Sequence, residues 1–147
     1  MAILDTSKKP FIEDRDETIF IGLDLPIRKS NGVEGYFEST TTTIDAVKNN
    51  IRNLLQTHRG ERLMQPNIGM GLRRFIFELF TDDSRITIEN EIVDTFKFWL
   101  PFVQIKKLIV DMDGDYDVGR NKLKIDITFN INKDPNTLSS VQVDIGE

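Results

Sequence analysis

A chain of 147 residues with 39% hydrophobic side chains can bury one core of its own without metal or disulfide staples. It contains no cysteine, which excludes a disulfide framework, a Cys-based zinc site and a thiol nucleophile, and leaves the redox compartment undecided. With 19 basic against 24 acidic residues, the net charge of −5 opposes the counterion release on which nucleic-acid affinity rests, so no DNA or RNA partner is expected.

The opening MAILDTSKKP lacks the apolar run of a signal peptide, and charge interrupts every later apolar stretch, so no membrane contact is expected either. Residues 1–17 are polar, with Phe11 and Ile12 as the possible anchors, and read as a flexible N-terminal arm. Residues 18–147 read as a single domain. Ile19, Ile21, Leu23 and Leu25 alternate as in a half-buried strand that Pro26 ends. Ser30-Asn31-Gly32 supplies turn geometry, and Val33, Gly35 and Phe37 suggest a short returning strand.

Ile44, Val47, Ile51, Leu54 and Leu55 then recur at helical spacing, with Thr42 or Thr43 as cap and Gly60 as the stop. Such a helix has about 16 residues and a length of about 24 Å, enough to lie across a small sheet. Pro66, Gly69 and Gly71 mark an ordered loop over residues 61–71. A short helix follows, burying Leu72, Phe75, Ile76, Leu79 and Phe80. Thr81-Asp82-Asp83-Ser84 caps a third helix, with Ile88, Ile92, Phe96 and Trp99 or Leu100 as its apolar stripe and Pro101 as its end. Residues 103–112 have apolar side chains on both faces, as in a strand inside a sheet. Leu123, Ile125, Ile127, Phe129 and Ile131 alternate with Lys122, Lys124, Asp126 and Thr128, giving one buried and one wet face. After a turn at Asp134-Pro135-Asn136, Val141, Val143 and Ile145 repeat the pattern. The expected class is α+β: a mainly antiparallel sheet with three helices packed on one face.

Chemistry-bearing motifs are sparse. DMDGDYD (111–117) resembles the start of a calcium loop, yet the sixth and twelfth positions, which an EF-hand fills with glycine and glutamate, are Tyr116 and Lys122. A turn between strands explains it. Glu61, Glu78, Asp82 and Asp83 offer carboxylates for glycoside hydrolysis, but solvated charges and helix caps account for them more simply. His58 is the only histidine, so it forms neither a zinc site nor a triad and reads as a helix C-terminal residue. The glycines of IGMGL lack the spacing and the Lys-Ser/Thr ending of a phosphate loop. No catalytic residue, metal or cofactor is expected.

Leu54, Leu55 and Thr57, then Gly60-Glu61-Arg62, Pro66, Gly69, and the Leu72 to Phe77 stretch together resemble the baseplate wedge family of contractile phage tails, which is shared with type VI secretion baseplates. GLDLPI and GVEGYF also look like that family's N-terminal strand pair, so the resemblance covers about residues 18–147. One departure stands out: Leu100-Pro101-Phe102 occupies the place where the family often has Glu-Pro-Arg, a motif implicated in docking to neighbouring wedge proteins. The resemblance implies C-terminal strands similar to the handshake domain of the sheath protein, and a virion protein, made in the host cytoplasm, from which the tail sheath starts to polymerise. It implies the tail sheath protein and other baseplate wedge subunits as partners, with the tail tube as a further neighbour. The sheath interface is then expected at Val141, Gln142, Val143, Asp144 and Ile145, whose strand edge can accept an extended arm. The wedge interface is expected at Leu100, Pro101 and Phe102 and at Glu61 and Arg62, the latter pair having a structural reading too, as groups bonding nearby backbone or each other. Two other classes stay open: a tail-associated lysozyme-like glycoside hydrolase, and a small soluble adaptor of the same fold.

Overall fold

The computed structural model describes residues 11, 14, 18–30, 35–115 and 120–146. Ile12 and most of the expected arm, Asn31-Gly32 and Val33, and Tyr116-Asp117 lie outside the described residues. The elements come in the order β1 (Gly22–Leu23), β2 (Ser39–Thr40), α1 (Thr43–Gln56), a 3-10 helix (Leu72–Phe77), α2 (Asp82–Trp99), β3 (Val103–Asp115), β4 (Arg120–Ile131) and β5 (Asp134–Gly146). This is the expected α+β class, with antiparallel sheets and three helices among the described residues. The chain forms two compact units, residues 1–50 and residues 51–147, and α1 runs from the first into the second.

In the first unit β1 and β2 pair antiparallel, Gly22 opposite Thr40, and a single bridge joins Lys29 to Phe37. The strand expected from Thr18 to Pro26 is therefore only two residues long, and Ile19 and Leu23 stay exposed. Alternation alone does not make a strand where too few partners pair with it. Thr42 caps α1: its Oγ1 accepts from the Asp45 N–H (3.3 Å) and donates to Asp45 Oδ2 (2.6 Å). Asp14 Oδ1 accepts from the Thr43 N–H at 2.7 Å and from its hydroxyl at 2.8 Å, satisfying another donor of the first turn. Phe11 is buried, so the described part of the N-terminal segment is anchored at both a polar and an apolar point.

In the second unit β3, β4 and β5 form one antiparallel sheet in that order. Leu123, Ile125, Ile127, Phe129 and Ile131 of β4 are buried, and β5 adds Val141 and Val143 opposite Ile127 and Ile125. Strand β3 is an edge, not the interior strand its sequence suggests. A bulge between Ile105 and Lys107 shifts its phase by one residue, so Val103 and Ile105 and then Leu108, Val110 and Met112 fall on the same face. An unbroken alternation would put those two groups on opposite faces, which is why the segment reads as two-sided. Helix α2 packs on β3 and the 3-10 helix packs on β4 and β5. Thr81 caps α2, its hydroxyl oxygen accepting from the Ser84 N–H at 3.1 Å, and Ile88, Ile92 and Phe96 are fully buried. The short helix is 3-10 and repeats every three residues, so Leu72 and Phe75 enter the core while Phe77 and Leu79 remain exposed.

The connection from α1 to the 3-10 helix is closed at its root by one carbonyl. Thr57 O accepts from both the Met70 N–H (3.0 Å) and the Gly71 N–H (3.2 Å), and the Thr57 hydroxyl donates back to Asn53 O at 2.6 Å. Helix α1 ends at Gln56, four residues before Gly60, which instead turns the loop, its N–H donating to Pro66 O at 2.7 Å. Gly69 has φ +107, and a Cβ there would overlap the Thr57 carbonyl, whose carbon would stand 2.9 Å away. Gly60 has φ +87 with open space around it. Gly69→Ala therefore combines backbone strain with a clash and is expected to cost more than about 2 kcal/mol, against about 1 kcal/mol for Gly60→Ala. Thermal unfolding followed by circular dichroism checks this, and equal shifts for the two variants would contradict the role given to the Thr57 carbonyl.

Candidate functional site

Three stretches of the second unit carry the residues singled out by sequence. The first is the outer edge of the sheet. Strand β5 pairs on one side with β4, and no described strand pairs with its other side. Val141 and Val143 point into the core, whereas Gln142 and Asp144 are exposed and Ile145 is half-buried. Gln142 Nε2 donates to both carboxylate oxygens of Asp144 at 3.0 Å. The wet face continues across the sheet as Asp144, Lys124 and Asp111, which are register partners in turn. The side chains of Val141 and Val143 are thus used in the core, and what stays unused among the described strands is the outer edge of β5.

The second surface is the loop that begins at Gly60-Glu61-Arg62. Glu61 bonds nearby backbone: its carboxylate accepts from the His58 N–H at 2.9 Å, and its own N–H donates to His58 O at 3.1 Å. Glu91 of α2, mostly shielded from solvent, ion-pairs with Arg59 at 3.3 Å and also with Arg74 of the 3-10 helix. This carboxylate ties three segments together, while both arginines stay more than half exposed, so the two pairs are worth no more than about 1 kcal/mol each. Arg62 is exposed, and beyond it Leu63 and Met64 point outward.

The Leu100-Pro101-Phe102 segment is divided. Leu100 is 8% exposed and its N–H closes α2 on Phe96 O at 2.8 Å. Phe102 is 40% exposed and its carbonyl accepts from the Asn132 N–H at 3.0 Å, so this tripeptide links α2 to the β4–β5 turn. Beside it Phe98, 74% exposed, stacks edge-to-face on Trp99 at 5.0 Å. A cleft of about 500 Å³ lies between these rings and the loop, lined by Arg59, Asn67, Glu91, Asp94, Thr95, Phe98 and Trp99.

The acids considered for hydrolysis are not gathered. The cleft at Glu61, about 320 Å³, is otherwise lined by Leu55, Gln56, His58, Arg73, Asp144 and Ile145. The one at Asp82 is lined by Phe80, Thr81, Arg85, Val110, Asp111, Met112 and Asp113. Neither brings two of the sequence candidates together; Asp82 and Asp83 occupy the first turn of α2, where they complement the helix dipole. No group of metal-ligating side chains occurs among the described residues, and none of the described helices is long and apolar enough to cross a membrane. Sequence reasoning missed Glu91, which sits on the polar side of α2, and Leu63-Met64. The signal for the latter was present: two large apolar residues in a segment too short and too punctuated by Pro and Gly to bury them by periodicity.

Residues 41–136 match the family of the baseplate wedge protein gp25. No curated protein sequence matches the chain. Among solved structures it is similar to a protein of Geobacter sulfurreducens described as a tail lysozyme, with 25% identity and TM-score 0.59 over 71% of this chain and 90% of that one. It is also similar to a chain of the baseplate of the anti-feeding prophage, with 24% identity and TM-score 0.54 over 83% of this chain and 81% of that one. A third similarity is to a chain of the post-contraction pyocin R2 baseplate, with 16% identity and TM-score 0.47 over 82% and 98%. The match over residues 41–136 spans the loop at Gly60-Glu61-Arg62, α2 and the first strands of the sheet, and the chain belongs to the baseplate wedge protein gp25 family, as a structural component of a contractile tail baseplate.

Proposed function

We propose that this wedge subunit is the point from which the tail sheath starts to polymerise, and that it works by assembly and not by catalysis. The observation that carries this reading is the edge position of β5: its core-facing side chains are already used, its other face is polar, and no described strand pairs along its outer side, where a strand could be added. An extended arm of the first sheath ring would pair along Val141–Ile145, and alternation of its side chains would set the register. The exposed Gly60-Glu61-Arg62 loop and the surface around Pro101 and Phe102 would face other wedge subunits, with the tail tube as a further neighbour. Where Glu-Pro-Arg would make that contact by charge, Pro101 and Phe102 would make it by apolar packing.

Removing residues 138–147 would strip Val141 and Val143 from the core, so the edge is better tested from outside. Ser140→Lys with Gln142→Lys places charge on the exposed side of an edge strand, where it blocks strand addition at a folding cost below about 1 kcal/mol. Baseplates are expected to form and to carry little or no sheath in electron micrographs; sheath of normal length would overturn the role of β5. Arg62→Glu should leave the melting temperature within a degree or two, since an exposed substitution changes stability by about 0.5 kcal/mol or less, and should lower the amount of this chain in purified baseplates. Unchanged incorporation would remove the loop from the wedge contact. The neighbour described as a tail lysozyme makes hydrolysis worth measuring directly. Peptidoglycan incubated with this chain should release no more soluble fragments than a buffer control, and Glu61→Gln should behave identically; cleavage lost in Glu61→Gln would establish an enzyme.

A further inference from the structure

Leu63 and Met64 are 96% and 94% exposed, the highest values of any large hydrophobic side chain described. They are adjacent, and the backbone that displays them is braced. Within the loop Gly60 donates to Pro66 O at 2.7 Å, Gln65 to Arg62 O at 3.3 Å and Ile68 to Gln65 O at 3.2 Å, while the root is pinned on Thr57 O. Arg59 Nε donates to Gly69 O at 3.3 Å and Glu61 accepts from the His58 N–H, so both ends of the turn are fixed by side chains as well. A loop tied at this many points has little conformational freedom left to lose on binding, and such pre-ordering favours association. Isolated exposed apolar residues are ordinary on protein surfaces, but a neighbouring pair held out on a braced turn is the shape of an anchor that fills a pocket.

The charge around the pair names the chemistry of that pocket. Arg59, Arg62, Arg73 and Arg74 belong to this stretch of chain. Glu91 is shared between Arg59 and Arg74, and Glu61 is held by backbone; Arg62 and Arg73 have no ion-pair partner among the described residues. Arg62, next to Leu63, thus places a positive charge without an ion pair beside the two apolar side chains, in a chain whose net charge is −5. We infer that Leu63 and Met64 form a plug that enters an apolar cleft rimmed by carboxylates on a neighbouring baseplate subunit, with Arg62 meeting the rim. This rests on the reading of the loop as a wedge contact and adds to it the residues that supply the affinity and the kind of surface that receives them. The cleft at Phe80, Val110 and Met112, flanked by Asp82, Asp111 and Asp113, has related chemistry on this same chain. Plug and cleft on one chain would join copies head to tail, and such contacts run on into filaments unless a ring closes, which favours a different subunit as the recipient.

Methionine oxidation reads the plug directly in the unmodified protein. Met64 and Met70 lie six positions apart, and Met70 is 1% exposed, so it serves as the internal reference. Brief hydrogen peroxide treatment followed by peptide mass spectrometry should oxidise Met64 rapidly in the isolated full chain and at least about ten-fold more slowly in tail particles, with Met70 slow in both. Leu63→Ser with Met64→Ser should leave the melting temperature unchanged and lower incorporation into baseplates to a tenth or less, and Arg62→Glu should lower it by a smaller factor. If Met64 oxidises equally fast in particles and Leu63→Ser with Met64→Ser incorporates normally, the plug is overturned; the wedge reading survives that result if Arg62→Glu still impairs incorporation and falls with it if Arg62→Glu does not. Protection of Met64 that appears in the isolated chain at high concentration, together with self-association in sedimentation, would make a second copy the recipient and overturn the assignment to another subunit.

Discussion

The Thr57 carbonyl oxygen holds the architecture of the second unit. A carbonyl has two lone pairs, and here both are spent on consecutive N–H groups, those of Met70 and Gly71, at the far end of a loop more than ten residues long. That pair of hydrogen bonds closes the chain just past α1, fixes where the 3-10 helix begins, and sends Met70 and Leu72 into the core while residues 61–67 are extruded to solvent. Its close approach leaves no room for a side chain at position 69. The Gly-Glu-Arg motif follows from the same closure: Gly60 makes the outward turn and Glu61 satisfies the His58 N–H left over just past the end of α1.

The sheet imposes a different constraint. With β4 central, one of its faces belongs wholly to the core, and the other carries Lys122, Lys124 and Asp126 in solvent. Both β3 and β5 are edges, and each has a helix packed on it and a register shift near one end. Helix α2 packs on β3, and the bulge at Ile105/Lys107 interrupts the regular ladder at its start. Bulges and covering elements are the usual means of blunting an edge. Strand β5 is regular from Ser139 to Gly146 and carries no proline in that stretch, which is compatible with the strand addition proposed for it.

How much of this was legible in the sequence depends on the range of the interactions involved. Capping is local: Thr42 and Thr81 each sit three residues before the group they serve, and both were readable. The clean alternation of β4 gave its buried face correctly. The phase of β3 was not readable, because a bulge is decided by the partner strand, and Lys106 looks the same whether or not a residue is inserted there. The short helix was misjudged for a related reason: Leu72, Phe75, Ile76 and Leu79 fit a period of 3.6, but the carbonyl at Thr57 fixes its start and a 3-10 turn follows, leaving Leu79 outside. The candidate residues divide likewise. Glu61 and Arg62 stand out as part of a motif, whereas the ion pairs that Glu91 makes with two arginines depend on the tertiary fold alone.

The loop and the β5 edge are not independent patches. The 3-10 helix that starts at the root of the loop packs on β5, and the cleft lined by Leu55, His58, Glu61, Arg73, Asp144 and Ile145 has the loop at one side and the end of the edge strand at the other. The described links between them are packed side chains and backbone hydrogen bonds. Packed contacts of this kind pass the position of one surface on to the other. A wedge subunit seated through its loop would therefore hold the β5 edge at a fixed place and angle. Fixing the register of a first strand asks for that rigidity: with a side-chain period of two, a slip of one residue would turn every incoming side chain to the wrong face.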